Sequence, residues 1–206
     1  SGSTLSANNN LSINSDNSIS NLNAGLISAG GGLQLSALGD INNIGSTIAG
    51  KTVALESIGG SISNVTLTER WSIGGNSRSG NMHLSGTDTG PTASITAQDD
   101  MSLSAGKDIN VKGANVAAGG SLLMLADGNI NVTANQITES YSQSGFRGKD
   151  ATSKESVTQS GSTLTAGGNL GMQAGNDLTL AASAVNAGGN ATLMAGNDLN
   201  LNAAQT

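Results

Sequence analysis

Leu164-Thr-Ala-Gly-Gly-Asn-Leu-Gly-Met-Gln-Ala-Gly-Asn-Asp-Leu-Thr-Leu180 and Val185-Asn-Ala-Gly-Gly-Asn-Ala-Thr-Leu-Met-Ala-Gly-Asn-Asp-Leu-Asn-Leu201 are two copies of one motif, offset by 21 residues (185 − 164). The same frame runs from Ile95 to Val111 and from Val116 to Val132, and weaker copies start at Leu5, Ile27 and Ile48. A fixed period of this size is the mark of a solenoid. Within each copy apolar residues alternate, as in Leu11 and Ile13, Leu33 and Leu35, or Leu170 and Met172. Period two puts them on one face of a strand rather than along a helix. Gly-Gly, Asn-Asn and Gly-Asn-Asp separate the strands, and these residues tolerate the left-handed backbone of tight corners. Three short strands per copy make one rung of a parallel β-helix, with inward side chains stacked about 4.8 Å above their counterparts.

Working outward, one set of inward anchors is Ile13, Leu35, Leu55, Leu103, Met124, Met172 and Leu193. A second is Ile19, Ile41, Ile62, Ile109, Ile130, Leu178 and Leu199. Outward slots hold Ser12, Gln34, Ala54, Ser102, Gly171 and Thr192, with Leu123 as the apolar exception. The expected fold is all-β: a single parallel β-helical domain over residues 1–206. At this period the chain would make about nine or ten rungs, roughly 45 Å long, with raw hydrophobic rungs at both ends. A β-sandwich would not need the same spacing seven times.

Composition agrees. The chain has 206 residues, 30 Gly, one Pro, no Cys and one each of Trp, Tyr and Phe. Disulfide scaffolds and Cys-based metal sites are excluded. A net charge of −6 argues against a nucleic-acid binder, which needs clustered Lys and Arg. No apolar run is long enough to span a membrane as a helix. Ser1-Gly2-Ser3 opens no signal segment and reads as the start of a fragment cut from a longer chain.

The frame breaks twice, at about 67–92 and 137–160. Every aromatic, the only His and the only Pro fall in these excursions, with five of the eight cations. The candidate binding residues are Arg70, Trp71, Arg78 and His83 in the first, and Tyr141, Phe146, Arg147 and Lys149 in the second. Insertions in solenoids gather on one face and often carry recognition. Two readings stand: hairpins whose aromatics fold back as lids on a neighbouring rung, or a contact surface, since Trp, Tyr and Arg are common interface anchors.

Sites of chemistry are thin. Gly-Asn-Asp at 175–177 and 196–198 invites a calcium reading, but calcium rolls need a nine-residue period. The slot before the second anchor set reads Ser18, Asp40, Ser61, Asp108, Asn129, Asp177 and Asp198, which suits capping of each residue's own turn. Asp99-Asp100 could be an acid–base pair, as in a polysaccharide-cleaving β-helix, or a corner substitution. His83 has no second His and no Cys to share a metal or form a triad. The expectation is no catalytic residue, no metal, no cofactor and no enzymatic activity.

Gly161-Ser-Thr-Leu-Thr-Ala-Gly-Gly-Asn-Leu, followed by Ala174-Gly-Asn-Asp-Leu-Thr-Leu180, resembles the haemagglutinin repeat of filamentous haemagglutinin-type exoproteins. Ala105-Gly-Lys-Asp-Ile-Asn-Val111 and Ala195-Gly-Asn-Asp-Leu-Asn-Leu201 match it equally well. The resemblance implies a right-handed β-helical filament of a two-partner-secretion protein, exported by an outer-membrane partner to the Gram-negative cell surface. It further implies an adhesin or the stalk of a contact-dependent growth inhibition effector with a C-terminal toxin. Glu139-Ser-Tyr-Ser-Gln-Ser, with Ser153 to Ser162, is similar to the region such effectors use to move the toxin across a target outer membrane. The implied partner is therefore a target-cell surface or outer membrane, without nucleic acid or small-molecule cofactor.

Overall fold

A computed structural model describes residues 2–78, 80–145 and 150–203, and among these every regular element is a strand. The first rung is β1 (Thr4–Ala7), β2 (Leu11–Ser15) and β3 (Ile19–Leu22). The second is β4 (Leu26–Ala29), β5 (Gly32–Ala37) and β6 (Ile41–Ile44). The third is β7 (Thr47–Gly50), β8 (Thr52–Ser57) and β9 (Ile62–Val65). A hairpin, β10 (Thr68–Ser77) and β11 (Gly80–Thr89), interrupts the chain here. The fourth rung is β12 (Ser94–Ala97), β13 (Met101–Ala105) and β14 (Ile109–Lys112), and the fifth is β15 (Asn115–Ala118), β16 (Leu122–Ala126) and β17 (Ile130–Thr133). A second hairpin follows, β18 (Asn135–Gly145) and β19 (Thr152–Ser160). The sixth rung is β20 (Thr163–Ala166), β21 (Leu170–Ala174) and β22 (Leu178–Ala181), and the seventh is β23 (Ala184–Ala187), β24 (Ala191–Ala195) and β25 (Leu199–Asn202).

Corresponding strands of successive rungs pair in parallel, giving three seven-stranded sheets around one interior, a parallel β-helix. Both expected anchor sets stack in register. Leu35 pairs with Leu55, Leu103 with Met124, and Met124 with Met172. Ile62 pairs with Ile109 and Ile109 with Ile130. A third column runs through Ile48, Ile95, Val116 and Leu164, all fully buried. Leu123 keeps its outward slot and lies against Gly171 of the next rung.

The rung count differs from expectation. Seven rungs stack, not nine or ten, so the six steps between them span about 29 Å rather than 45 Å. Both excursions leave the solenoid as antiparallel ribbons instead of continuing the winding. Leu5, Leu199 and Leu201, in the first and last described rungs, are exposed, as expected of rungs with no neighbour on one side.

Two polar columns hold the stack where apolar ones do not. Inside the third sheet Asn21, Asn43 and Asn64 occupy inward slots and are buried. Asn21 Nδ2 donates to Asn43 Oδ1 at 2.9 Å, and Asn43 Nδ2 to Asn64 Oδ1 at 2.8 Å. Asn43 Nδ2 also donates to the carbonyl of Ser46, and Asn64 Nδ2 to that of Asn115. From the fourth rung on the column becomes Val111, Val132 and Leu180. The second column is the Ser/Asp/Asn slot, and its geometry corrects the own-turn expectation. Each side-chain oxygen accepts the backbone N–H of the same slot one rung on: Ser18 Oγ from Asp40 N, Asp40 Oδ1 from Ser61 N, Ser61 Oγ from Asp108 N, Asp108 Oδ1 from Asn129 N, Asn129 Oδ1 from Asp177 N and Asp177 Oδ1 from Asp198 N. The sheet ladder lapses at this half-buried to exposed corner, so its N–H needs another acceptor. A side-chain oxygen one rung below lies within reach, and Asp, Asn and Ser all supply one.

Candidate contact face

The excursions leave at one corner, between the third sheet and the first. Undisturbed rungs turn there through left-handed residues: Gly45 (φ 56°), Gly113 (φ 54°) and Ala182 (φ 49°). Rungs three and five replace that tight turn with a hairpin. β10 leaves rung three, β11 returns to rung four, β18 leaves rung five and β19 returns to rung six. Rung spacing equals strand spacing, so the four legs rise one strand-width apart and alternate in direction. They pair as a single four-stranded antiparallel sheet in the order β10-β11-β18-β19. The bases are pinned. Thr66 Oγ1 accepts from Ala93 N, and Ser162 Oγ accepts from Ala114 N while donating to the Thr133 carbonyl. Buried Asn135, at the foot of β18, donates to the Thr66 carbonyl at 2.7 Å, tying the second excursion to the first. It sits over Gly113, where a Cβ would lie 2.4 Å from its Nδ2.

Cross-strand register decides what shares a face. Trp71 faces Gly86; Ile73 faces Leu84, which faces Tyr141, which faces Lys154. Met82 and Gln143 continue this face toward the tip. The Trp71 ring lies on Gly86, so close that a Cβ there would fall 2.5 Å from Cζ2, and its Nε1 donates to Asp88 Oδ1 at 3.3 Å. The Trp71 ring thus packs within its own hairpin, a bulky ring filling the space a glycine leaves. Trp71 stays 39% exposed and Ile73 64% exposed. Trp71, Leu84, Glu139, Tyr141 and Lys154 line a cavity of about 410 Å³.

The opposite face is polar. Arg70 faces Thr87, Ser72 faces Ser85, and His83 faces both Gly74 and Ser142. The Ser85 and Ser140 hydroxyls are 2.7 Å apart across the junction of the two hairpins. His83, Asn76, Asn81, Ser142 and Ser153 help line a second cavity of about 300 Å³. Arg78 is exposed in the turn after β10. Thus the structure joins Trp71 with Tyr141 on one side and sets Arg70 and His83 on the other. Phe146, Arg147 and Lys149 lie outside the described residues. Ile73, Met82, Leu84 and Lys154 were not singled out by sequence, although Trp71/Ile73 and Met82/Leu84 show the period-two signal.

The acidic pair has structural partners. Asp100 Oδ1 accepts from Ser121 N at 2.7 Å, and Asp99 lies 3.8 Å from Lys51 Nζ, both ends half-exposed and the pair worth little. Asp177 Oδ1 takes donors from Asp198 N and Asn197 Nδ2.

A hemagglutinin repeat model matches residues 1–148 and 144–206. The chain is 56% identical over 203 residues to a protein named tRNA nuclease CdiA from Escherichia coli O6:K15:H31 (strain 536 / UPEC), covering 88% of this chain and 6% of that protein. It is 58% identical over 162 residues to 16S rRNA endonuclease CdiA from Enterobacter cloacae subsp. cloacae, covering 79% and 5%. To deoxyribonuclease CdiA from Dickeya dadantii (strain 3937) it is 38% identical over 134 residues, covering 65% and 4%. The chain spans only 4 to 6% of the length of these relatives. No solved structure matches it. With its rungs, corners and family match in agreement, the chain belongs to the hemagglutinin repeat family.

Proposed function

We propose that this chain is a structural and delivery segment of a secreted, surface-displayed toxin protein, a hemagglutinin-repeat stalk of the contact-dependent growth inhibition kind. It holds and helps deliver a C-terminal toxin and performs no catalysis itself. The observation that carries this reading is that relatives named for three different nuclease activities all share the segment. A piece common to tRNA, rRNA and DNA nucleases serves what they have in common, not the reaction that separates them. The chain's net charge of −6 fits that division, since it suits no phosphate backbone. In this reading residues 1–206 act as one β-helical unit, and the parent is exported through an outer-membrane partner to the cell surface.

Contact with a target-cell surface or outer membrane runs through the four-stranded sheet. Trp71 and Tyr141 supply the anchors on one face, with Arg70, His83 and Arg78 on the other face and the tip. The regular rungs present small polar side chains that offer little area. Replacing Trp71 and Tyr141 with Ser in the full-length toxin protein, then measuring inhibition of neighbours in co-culture against surface display, tests this. Display is expected to hold while inhibition falls by about tenfold or more, the loss of one or two anchors. Unchanged inhibition at equal display would overturn the contact role. Lost attachment with intact toxin entry would make the segment an adhesin filament instead.

A further inference from the structure

We infer that β10 is a self-pairing edge, through which two copies of this chain join their four-stranded sheets into one of eight strands. The sheet has two edges, β10 and β19, and they differ. β19 carries Lys154 and Glu155 at mid-strand, the charges that guard an edge against added strands. β10 has its two charges, Glu69 and Arg70, at its base, and Trp71-Ser-Ile-Gly-Gly-Asn-Ser77 beyond them is uncharged. It contains no proline, and its register with β11 runs unbroken from Thr68 to Ser77, so no bulge twists it away. All ten residues are exposed, and Ile73 at its middle is 64% exposed. Beside β10 stands the bare corner of rung two, a tight turn at Gly45 that sends out no strand.

The strand is complementary to itself. An antiparallel pair centred on Ile73 sets Ile73 against Ile73 of the second copy and extends the Leu84–Ile73 apolar strip across the join. Trp71 then faces Gly75 of the second copy, where the space above the glycine is open. Arg70 faces Asn76, Ser72 faces Gly74, and no like charges oppose one another. Antiparallel pairing also separates the bodies. β10 runs away from its own solenoid, so the second solenoid lies beyond the tip of the first, about 33 Å away for ten residues of strand.

The absence of cysteine makes the test direct. Single variants Ile73→Cys, Ser72→Cys and Lys154→Cys are oxidised mildly at high protein concentration. Opposed residues of an antiparallel pair have Cα atoms about 4.5–5.5 Å apart, within disulfide reach. The expected result is a covalent dimer as the main product for Ile73→Cys and little for Ser72→Cys or Lys154→Cys. Sedimentation equilibrium of the unmodified chain should show a concentration-dependent dimer that Ile73→Lys abolishes. A monomer at every concentration, equal cross-linking at all three positions, or dominance of Ser72→Cys or Lys154→Cys would overturn the pairing.

Discussion

Asn43 holds the first three rungs together from inside. Its amide nitrogen donates to Asn64 and to the carbonyls of Ser46 and Ser94, while its oxygen accepts from Asn21. Asn43→Ala leaves the buried Asn64 oxygen without its donor and should cost about 2–3 kcal/mol. Replacing Asn21, Asn43 and Asn64 together with Val, the residue rungs four and five use there, should cost less in total, because no amide is left orphaned. Denaturant unfolding of both variants checks the order; a triple variant less stable than the single one would contradict a mutually satisfied ladder. The capping slot makes a parallel case. Asp108→Ala strips Asn129 N of its acceptor and should cost about 1–2 kcal/mol, whereas Asp108→Asn keeps the oxygen and should cost little. Equal losses in the two would mean that charge, not the accepted bond, matters. The slot's alternation of Ser, Asp and Asn was legible in sequence as capping. Its reach to the next rung was not, because spacing along a chain says nothing about which of two stacked turns an oxygen will find.

At the level of elements, the hairpins were legible as excursions and illegible as a sheet. Gly-flanked, alternating segments at 67–92 and 137–160 suggest strands, but Leu84 and Tyr141 are far apart in sequence and nothing local names them as partners. What joins them is the vertical position of their exits, fixed by the rungs. Gly113 keeps the corner between those exits narrow, and Gly113→Ala meets both a left-handed backbone and Asn135. It should lower stability by about 1–3 kcal/mol, read as a drop in melting temperature of several degrees. An unchanged melting temperature would remove Asn135 from its place over that corner. Gly86→Val tests the aromatic packing separately. Its side chain takes the space of the Trp71 ring, so the emission of the chain's single Trp should shift red toward the exposed value while far-UV circular dichroism stays constant. Emission identical to the parent's would show that the ring does not rest on Gly86.

For the whole molecule, the 21-residue period carries almost everything about the solenoid, since anchors such as Leu103 and Met124 stack as their spacing requires. It overstates the length because the excursion residues leave the winding as antiparallel ribbons. Stability in such a stack accumulates between neighbours, so position along it sets the cost of a defect. Met124→Asp, in the fully buried middle, should cost several kcal/mol, while Leu193→Asp, only partly buried in the last described rung, should cost less in this chain. The same stacking creates the one surface on which the functional reading depends, a sheet built from both excursions. Ser85→Cys with Ser140→Cys places two thiols where hydroxyls stand 2.7 Å apart, across 55 residues of chain. Mild oxidation of dilute protein should give an intramolecular disulfide in nearly every molecule and raise the melting temperature by closing that loop. Two free thiols after oxidation, with the solenoid intact by circular dichroism, would mean that the hairpins stand apart and share no contact face.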